Sequence, residues 1–386
     1  MTYAEQNMNG KNIKHRVLLV VRWPVGGIRT FILYVYSHFD PDKYHFTILA
    51  PASSGLDMLE KDLSELDLEI VRISDHPSFY DLILAATRLL NGGRYDLVHS
   101  HGFTSGLCTV LPALVFRIPH ILTSHDTLST AQFKGYSGRI KLAVMGFALS
   151  LVNTIHLVSE DALTNLGEFY PRLASKAGKC VVIRNGIPSE VFVNALPRDL
   201  RAELGVDSNV FLIGFLGRFM SLKGFSFLVD AVGKLVDAGG MAKKPLVLAF
   251  GEGGFVREEK SALEARGLEE YFIFYPFTSN VAGVIKGLDL VVVPSLSETC
   301  PLLPMEVLTC GIPILTSNCV GLREVVRNTP AHMVPSRNSA AIAEEIRRSM
   351  KEETRQCFLD FAPEAAERFD VVKTASAIKI MYSKYL

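Results

Sequence analysis

Two carboxylates in a strand–loop–helix pattern distinguish the segment Leu290-Val-Val-Val-Pro-Ser-Leu-Ser-Glu-Thr-Cys-Pro-Leu-Leu-Pro-Met-Glu-Val-Leu-Thr-Cys-Gly-Ile-Pro-Ile-Leu-Thr316. Its first four residues, Leu290 to Val293, form an apolar and β-branched run that is typical of a buried parallel strand. Pro301 and Pro304 suit the first turn of a following helix, where a missing N–H costs no hydrogen bond. The segment therefore predicts one strand–loop–helix unit of a parallel α/β sheet.

The two carboxylates of this segment lie where α/β proteins bind ligands. Glu298 falls in the loop at the carboxyl end of the strand, and Glu306 falls about one or two turns into the helix. Ligands bind at that edge of an α/β sheet, and the unpaired N–H groups of a helix start favour phosphate. The arrangement suits a sugar–nucleotide site, although a pair of carboxylates is also found in hydrolases.

The composition indicates a neutral protein that can form packed cores. The chain has 386 residues, of which 48% are hydrophobic and 21% are charged. This length is enough for two domains at roughly 150 residues each. Lys plus Arg and Asp plus Glu number 40 each. The zero net balance argues against a general nucleic-acid binder, so no nucleic-acid partner is expected.

Strand-like runs alternate with helix-like runs along nearly the whole chain, which predicts parallel, doubly wound sheets. A turn signal at 185–188 and a polar stretch at 194–209 separate two such series. We therefore expect two Rossmann-like domains, 1–193 and 194–362, facing a central cleft, and a helical tail over 363–386. The predicted strands are 17–21, 45–50, 68–73, 96–100, 120–123, 154–159 and 180–183, then 211–217, 246–251, 271–274, 290–293, 314–317 and 332–334.

Neither the cysteines nor the apolar runs indicate a secreted or membrane-spanning protein. The six cysteines form no C-x-x-C pair and no zinc-like cluster, so we expect buried, reduced thiols. No signal peptide is expected, and no window holds the roughly 20 apolar residues of a membrane span. The run at 142–152 predicts a core helix or, less favourably, a helix docked on a membrane surface. The expected location is cytoplasmic, with peripheral contact at the inner face of the cell membrane as an addition.

Two glycines follow the first predicted strand in the run Trp23-Pro-Val-Gly-Gly-Ile-Arg-Thr30. Gly26 and Gly27 let the backbone approach a ligand closely at a helix start, which can receive phosphate or sugar oxygens. The run lacks the G-x-G-x-x-G fingerprint of dinucleotide sites, and an ordinary tight turn explains a Gly-Gly pair equally well.

Two cations leave the carboxyl end of the first strand of the second series. Arg218 follows Gly217, and Lys223 precedes Gly224. Arginine as a fork and lysine as a point charge could hold a diphosphate without a metal. The alternative is solvated surface charge, but a position at a strand's carboxyl end favours phosphate binding.

Histidines and one more glutamate also follow predicted strands. His99 and His101 close one strand, His125 follows the next, and Glu252 lies in a glycine-rich strand-end loop. A lone histidine is more often structural, and the sequence identifies no further partner for a metal, so no metal site is expected. Glu252 is either a ligand contact or part of a turn.

Taken together, these motifs resemble retaining glycosyltransferases of the GT-B fold, in the E-x7-E group that includes sucrose synthase and bacterial polysaccharide mannosyl- and glucosyltransferases. Many members of that group have glycine where this chain has Pro301, and proline removes an N–H that could touch a ligand. The matches keep their order along most of the chain: Val25-Gly-Gly27, Asp96-Leu-Val-His-Ser-His101, Thr123-Ser-His125, Asn185-Gly-Ile187, Gly217-Arg218, Lys223-Gly224, Gly251-Glu-Gly253, Pro294-Ser295, Glu298 and Glu306.

The resemblance implies catalytic roles for four side chains. Arg218 and Lys223 would neutralise the diphosphate leaving group, Glu298 would bind donor-sugar hydroxyls near the anomeric centre, and His125 would sit near the reacting sugar. Glycosyl transfer with retention needs stabilisation of a departing diphosphate and an oxocarbenium-like centre, which is electrostatic work. The chain has no D-x-D motif, and metal-independence is usual for this fold, so no cofactor is expected besides the donor substrate.

The resemblance also implies donor contacts that are not catalytic. The donor phosphates or sugar would lie against Gly27, beside Gly26, while Glu306 would bind the ribose and Glu252 would contact the donor. Backbone N–H groups of Leu302 and Leu303 would meet phosphate or sugar oxygens. The N-terminal domain would bind the acceptor, the C-terminal domain would bind the nucleotide sugar, and the tail helix would cross back to the N-terminal domain.

The sequence thus predicts a retaining hexosyltransferase that moves a sugar from a nucleotide-diphosphate sugar to a glycan or lipid-linked acceptor. Synthesis of a surface polysaccharide or glycolipid is the expected setting. Two alternatives remain open at this stage: a sugar-nucleotide epimerase of the same fold, and a non-catalytic protein that binds sugar nucleotides.

Overall fold

A computed structural model describes residues 14–350 and 353–386. The chain forms two compact units. The first combines the described residues up to Arg184 with Val372–Leu386, and the second spans Asn185–Val371. Each unit contains one parallel α/β sheet of the predicted kind, and all thirteen predicted strands are present.

The sheet of the first unit has seven parallel strands. They are β1 (His15–Val21), β2 (Tyr44–Pro51), β3 (Leu68–Ile73), β4 (Leu97–His101), β5 (His120–Ser124), β6 (Thr154–Leu157) and β7 (Cys180–Val182). Their order is β3-β2-β1-β4-β5-β6-β7. Successive strands are added toward one edge of the sheet from β1 to β3 and toward the other edge from β4 to β7. The switch point therefore lies between β1 and β4, and open α/β sheets bind ligands at such a point.

The sheet of the second unit has six parallel strands. They are β8 (Val210–Leu216), β9 (Lys244–Phe250), β10 (Phe272–Tyr275), β11 (Leu290–Val293), β12 (Ile314–Ser317) and β13 (His332–Val334). Their order is β10-β9-β8-β11-β12-β13, so the switch point lies between β8 and β11. The central strands are apolar along nearly their whole length because helices cover both faces of such a sheet.

The helices alternate with the strands. They are α1 (Gly26–Tyr36), α2 (Ser54–Asp62), α3 (Phe79–Leu90), α4 (Phe103–Val115), α5 (Gly135–Leu151), α6 (Glu160–Phe169), α7 (Pro171–Ala174), α8 (Ser189–Asn194), α9 (Leu200–Leu204), α10 (Phe225–Ala238), α11 (Val256–Glu264), α12 (Val281–Lys286), α13 (Leu303–Thr309), α14 (Leu322–Val325), α15 (Ser339–Ser349), α16 (Glu353–Arg368) and α17 (Val371–Tyr382). Short 3-10 turns occupy Thr130–Phe133, Ser221–Lys223 and Glu269–Tyr271.

The helix predicted over 142–152 packs in the core along one face only, through Met145, Leu149 and the adjoining Val152. It belongs to α5, which begins seven residues earlier, at Gly135, and buries only Gly138, Met145 and Leu149. Val144 and Phe147 are exposed, with relative accessibilities of 61% and 66%. An apolar run on a surface helix looks like core in sequence, because composition does not reveal which face meets a neighbour. No helix within 14–350 and 353–386 combines the length and the apolar character needed to cross a bilayer.

Two further expectations need correction. None of the six cysteines, all of which lie in the described residues, forms a disulfide, but Cys357 is exposed and Cys180 is only half-buried, so not every thiol is a core residue. Pro301 precedes α13 rather than lying within its first turn, whereas Pro304 does lie there. Glu306 accordingly falls in the first turn of α13, closer to the helix start than the sequence suggested.

Candidate functional site

The loops that follow β8 and β11 meet at the switch point of the second unit. The backbone N–H of Leu296 donates a hydrogen bond of 2.8 Å to the carbonyl oxygen of Leu222. Gly224 has a φ of +67° and lies so close to the Pro294 carbonyl that a Cβ atom there would overlap it. Only glycine satisfies both conditions without strain, so the Lys-Gly pair brings the two loops into backbone contact.

This contact places the cation of one loop on the carboxylate of the other. The Lys223 Nζ lies 2.7 Å from Oε1 of Glu298, and the hydroxyl of buried Ser295 donates to the same oxygen at 2.7 Å. The Glu298 side chain is 12% exposed. No residue in the described part of the chain donates a hydrogen bond to its second oxygen, Oε2. Charge-assisted bonds on one oxygen orient the carboxylate and leave the other for a ligand.

The loop after β9 packs against the same edge. The N–H of Phe219 donates to the carbonyl oxygen of Glu252 at 3.0 Å, and a Cβ atom on Gly251 would overlap the carbonyl oxygen of Gly217. The side chains of Arg218 and Glu252 are both exposed. The structure therefore places Arg218, Lys223, Glu252 and Glu298 in three adjoining strand-end loops.

A residue that is distant in sequence holds the segment before α13 in place by a hydrogen bond. The Asn185 amide donates to the Cys300 carbonyl at 2.7 Å, a contact between residues 115 apart. Leu302 is the N-cap of α13, Leu303 is its first residue, and both are half-buried. Glu306, three residues after Leu303, is 8% exposed. The hydrogen bond from Asn185 fixes the chain just before α13, and the helix begins at the same sheet edge as Glu298.

The predicted glycines of the first unit lie at the start of α1. Val25 is the N-cap and makes no side-chain capping bond, and Gly26 begins the helix with a φ of +56°. A Cβ atom on Gly27 would meet nothing within 4 Å. Packing therefore does not require glycine at position 27, which is consistent with space reserved for a ligand.

The three predicted histidines are in two different situations. His99 lies inside β4 and His101 is the last residue of β4, so both belong to the strand rather than to the loop after it. His125 directly follows β5 and is half-buried. The Nδ1 of His101 lies 3.0 Å from the Nε2 of His125. Burial lowers the pKa of His125 to about 3, so the side chain is neutral at neutral pH.

Sequence reasoning missed the polar groups that surround these histidines. Buried Tyr36, Tyr382 and Thr123 are hydrogen-bonded to His99 or His101, and buried His156 is hydrogen-bonded to Thr123. Tyr36 and Tyr382 are 346 residues apart, and each lies in a helix that reads as an ordinary amphipathic segment. The one signal in the sequence was a tyrosine at an inward position of each helix, which is too common to identify a network.

Two family models match the chain. Residues 198–366 match glycosyl transferases group 1, and residues 25–191 match glycosyltransferase family 4. Together the two matches cover most of the sequence.

Curated relatives are similar at low identity. An α-maltose-1-phosphate synthase of Mycolicibacterium smegmatis is 26% identical over 253 residues, which are 61% of this chain and 63% of that protein. A D-inositol 3-phosphate glycosyltransferase of Gordonia bronchialis is 25% identical over 256 residues, which are 63% and 56% of the two chains. The chain thus spans about six-tenths of the length of these relatives.

The fold is also similar to that of a solved structure. Anabaena Alr3699/HepE in complex with UDP superimposes with a TM-score of 0.80 at 20% sequence identity, over 96% of this chain and 100% of that one. The superposition shows a shared fold, and at this low sequence identity it shows no more than the fold. The second unit thus carries the match to glycosyl transferases group 1 and the first unit carries the match to glycosyltransferase family 4, and the two doubly wound sheets have the GT-B glycosyltransferase fold.

Proposed function

We propose that the protein is a retaining, metal-independent glycosyltransferase that moves a sugar from a nucleotide-diphosphate sugar to a glycan or lipid-linked acceptor. The observation that carries the proposal is the cluster of Lys223, Glu298 and Ser295 at a switch point, beside exposed Arg218. Synthesis of a surface polysaccharide or glycolipid is the proposed setting. UDP is the first nucleotide to test, because the Anabaena structure was solved with UDP.

The charges of the cluster suit departure of a diphosphate. Arg218 is exposed, and Lys223 keeps two further N–H donors after its bond to Glu298. Two cations at one sheet edge can stabilise the negative charge that develops on the leaving phosphate. Oε2 of Glu298 can accept a hydrogen bond from a hydroxyl of the donor sugar, which orients the anomeric carbon beside those cations.

The surroundings of Glu298 favour retention without a protein nucleophile. Its Oε1 already receives bonds from Lys223 and Ser295, and such bonds reduce the nucleophilicity of a carboxylate. Glu298 therefore serves as a hydrogen-bond acceptor. The leaving phosphate then assists deprotonation of the acceptor on the face from which it departs, and the anomeric configuration is kept.

Exposed aromatic rings at the first unit's switch point suit a carbohydrate acceptor. Trp23 follows β1 and Phe79 begins α3, and the Arg22 guanidinium lies 5.3 Å from the centre of each ring. Both rings are more than half exposed. The apolar C–H face of a sugar can pack on such rings while the guanidinium binds hydroxyl or acidic groups.

The decisive experiment is incubation of the purified protein with UDP-, GDP- and ADP-sugars, followed by product analysis. A thermal-shift panel first selects the nucleotide, since a ligand at 100 times its Kd adds roughly 2.7 kcal/mol of stability. Transfer or slow hydrolysis with retained configuration supports the proposal. Epimerised donor would indicate the sugar-nucleotide epimerase, and binding without turnover would indicate a non-catalytic binding protein. Undiminished transfer by folded Arg218→Ala and Lys223→Ala variants would show that this cluster is not the site.

A further inference from the structure

A continuous hydrogen-bonded network fills the interior of the first unit. It starts at the backbone carbonyl of Ile183 and ends at the half-buried ring of His125. Its members in spatial order are Ile183, His156, Thr123, His99, Tyr382, Tyr36, His101 and His125. Burial lowers the pKa of each of the four histidines below 6.5, so each ring carries a single proton at neutral pH.

The position of the first protons follows from the carbonyl end. The Ile183 carbonyl can only accept, so the His156 Nε2 at 2.9 Å must carry the proton and its Nδ1 must be bare. The Thr123 hydroxyl at 2.8 Å therefore donates to that Nδ1. Having used its only proton, Thr123 accepts from the Nε2 of His99 at 2.6 Å. His99 consequently has a bare Nδ1.

Two tyrosine hydroxyls meet that bare nitrogen. Nδ1 of His99 lies 2.9 Å from the Tyr36 hydroxyl and 2.6 Å from the Tyr382 hydroxyl, and the two hydroxyls are 2.9 Å apart. Tyr36 is also 3.1 Å from Nε2 of His101. These four contacts have only the two tyrosine hydroxyl protons between them unless Nε2 of His101 carries a third. With that third proton, three of the four contacts can be hydrogen bonds, and without it only two can. The most complete bonding thus gives His101 a protonated Nε2 and a bare Nδ1.

The contact with His101 also fixes the position of the proton on His125. Its Nε2 lies 3.0 Å from the bare Nδ1 of His101, so this Nε2 must donate. Nδ1 of His125 is then unprotonated. No described residue donates a hydrogen bond to this Nδ1. The atom is not fully buried either, so a ligand can reach it. The Phe31 ring packs edge-on against His125 at 4.9 Å and restrains its plane.

We propose that this network sets the tautomer of His125 and presents its Nδ1 as a fixed hydrogen-bond acceptor for a sugar hydroxyl. Tyr36 is then a positioning residue, which acts on His125 through His101. The assignment of a sugar hydroxyl rests on the proposed glycosyl transfer, whereas the tautomer itself is a property of the ligand-free protein.

Two single-hydroxyl deletions provide a matched test. Tyr36→Phe removes the acceptor of the His101 Nε2 proton, so His101 and His125 become free to exchange tautomers. Tyr382→Phe removes an equally buried hydroxyl, but Tyr36 can then donate to His99 and still accept from His101. The first variant should redistribute the His125 proton between its two nitrogens, and the second should not.

Two-bond proton–nitrogen correlation spectra of ligand-free protein with labelled histidines report each tautomer, and a His125→Gln variant identifies the His125 signals. At pH 7 we expect the Nε2–H pattern in wild type and Tyr382→Phe, and a mixed pattern in Tyr36→Phe. If Tyr36→Phe does not fold, Thr123→Val interrupts the chain nearer the carbonyl and should give the same mixture. An Nδ1–H or charged His125 in wild type, or equal spectra in both tyrosine variants, overturns the inference.

Activity separates this inference from the proposed function. Where transfer is detected, Tyr36→Phe should lower kcat/KM more than Tyr382→Phe does. Nε2–H spectra from a protein that transfers no sugar would refute the transferase and leave the network assignment standing. Transfer by a protein whose His125 carries its proton on Nδ1 would refute the network alone.

Discussion

Glu298 and Glu306 have the same side chain in different surroundings, and we expect their isosteric replacements to fail differently. Glu298 is held by Lys223 and Ser295 and is proposed to bind the sugar, so Glu298→Gln should reduce turnover and leave nucleotide affinity nearly unchanged. Glu306 is proposed to bind the ribose, so Glu306→Gln should weaken the nucleotide as well as the donor. An interaction that strengthens at the reacting centre appears in kcat, whereas uniform binding appears in affinity.

Calorimetry with the nucleoside diphosphate, beside steady-state kinetics, measures both quantities for each glutamate variant. Loss of nucleotide binding in Glu298→Gln with normal binding in Glu306→Gln would reverse the proposed orientation of the donor. Wild-type values for both variants would make the pair structural.

The two cations predict the response to chelation. Arg218 and Lys223 are proposed to stabilise the diphosphate with positive charge that a divalent ion would otherwise supply. We therefore expect transfer to persist in excess EDTA, measured as initial rate before and after chelation. Complete loss of activity that magnesium or manganese restores would contradict the metal-independent mechanism.

Gly224 predicts how strongly the site depends on backbone contact. Gly224→Ala places a side chain in the left-handed region, which costs about 1–2 kcal/mol, and makes it overlap the Pro294 carbonyl. We expect a loss of at least about 2 kcal/mol in the free energy of unfolding, measured by denaturant titration. Gly254→Ala is the control, because a Cβ atom there meets nothing within 4 Å. Equal effects of the two changes would show that the close contact is not limiting.

At the scale of elements, α5 combines an apolar stripe with positive charge. Tyr136, Ile140, Val144 and Phe147 are exposed at a spacing that places them on one helical face, and exposed Arg139 flanks them. Such a helix can lie on an anionic lipid surface, as a lipid-linked acceptor would require. This is the surface-docking role that the sequence favoured less, and it remains a prediction.

Vesicle sedimentation tests the role of α5. We expect binding to vesicles that contain anionic lipid, weaker binding to neutral vesicles, and a marked decrease for Ile140→Glu and Phe147→Glu. Leu196→Glu is the matched control, since Leu196 is an 84% exposed apolar residue in the second unit. Identical binding by all three variants would exclude α5 as the membrane contact.

At the scale of the whole molecule, the buried histidines predict a pH dependence of stability. Burial lowers the pKa of His120 to about 3 and that of His156 to about 4, and it lowers the pKa of His99 and His101 well below 6.5. The unfolded chain binds protons near pH 6.5 and the folded chain does not, so the unfolded state binds more protons between those values. Stability should therefore fall as the pH falls from about 6.5 toward 4.

The expected slope is about 1.4 kcal/mol per pH unit for each buried histidine that stays neutral in the folded state. Denaturant titrations between pH 8 and pH 5 measure it. His76→Gln is the control variant, because it replaces a histidine that is exposed rather than buried. A free energy of unfolding that is flat over this range would contradict the neutral state of these buried histidines.

The sequence alone determined the alternation of strands and helices and the strand-end position of each candidate residue. Apolar β-branched runs, prolines and glycines act over a few residues, so a local pattern is enough to predict them. For this reason all thirteen strands were predictable, and Arg218, Lys223 and Glu298 could be assigned to loops before any contact was known.

Only the tertiary structure decided which of these residues meet. Lys223 and Glu298 are 75 residues apart and pair because parallel strands bring their carboxyl ends to one edge of the sheet. Tyr36 and Tyr382 are 346 residues apart, and their contact depends on the packing of α17 into the first unit. Contacts at such separations leave no periodicity in the sequence. The exposure of α5 was hidden for a related reason, because an apolar residue reads the same whether a neighbour covers it or not.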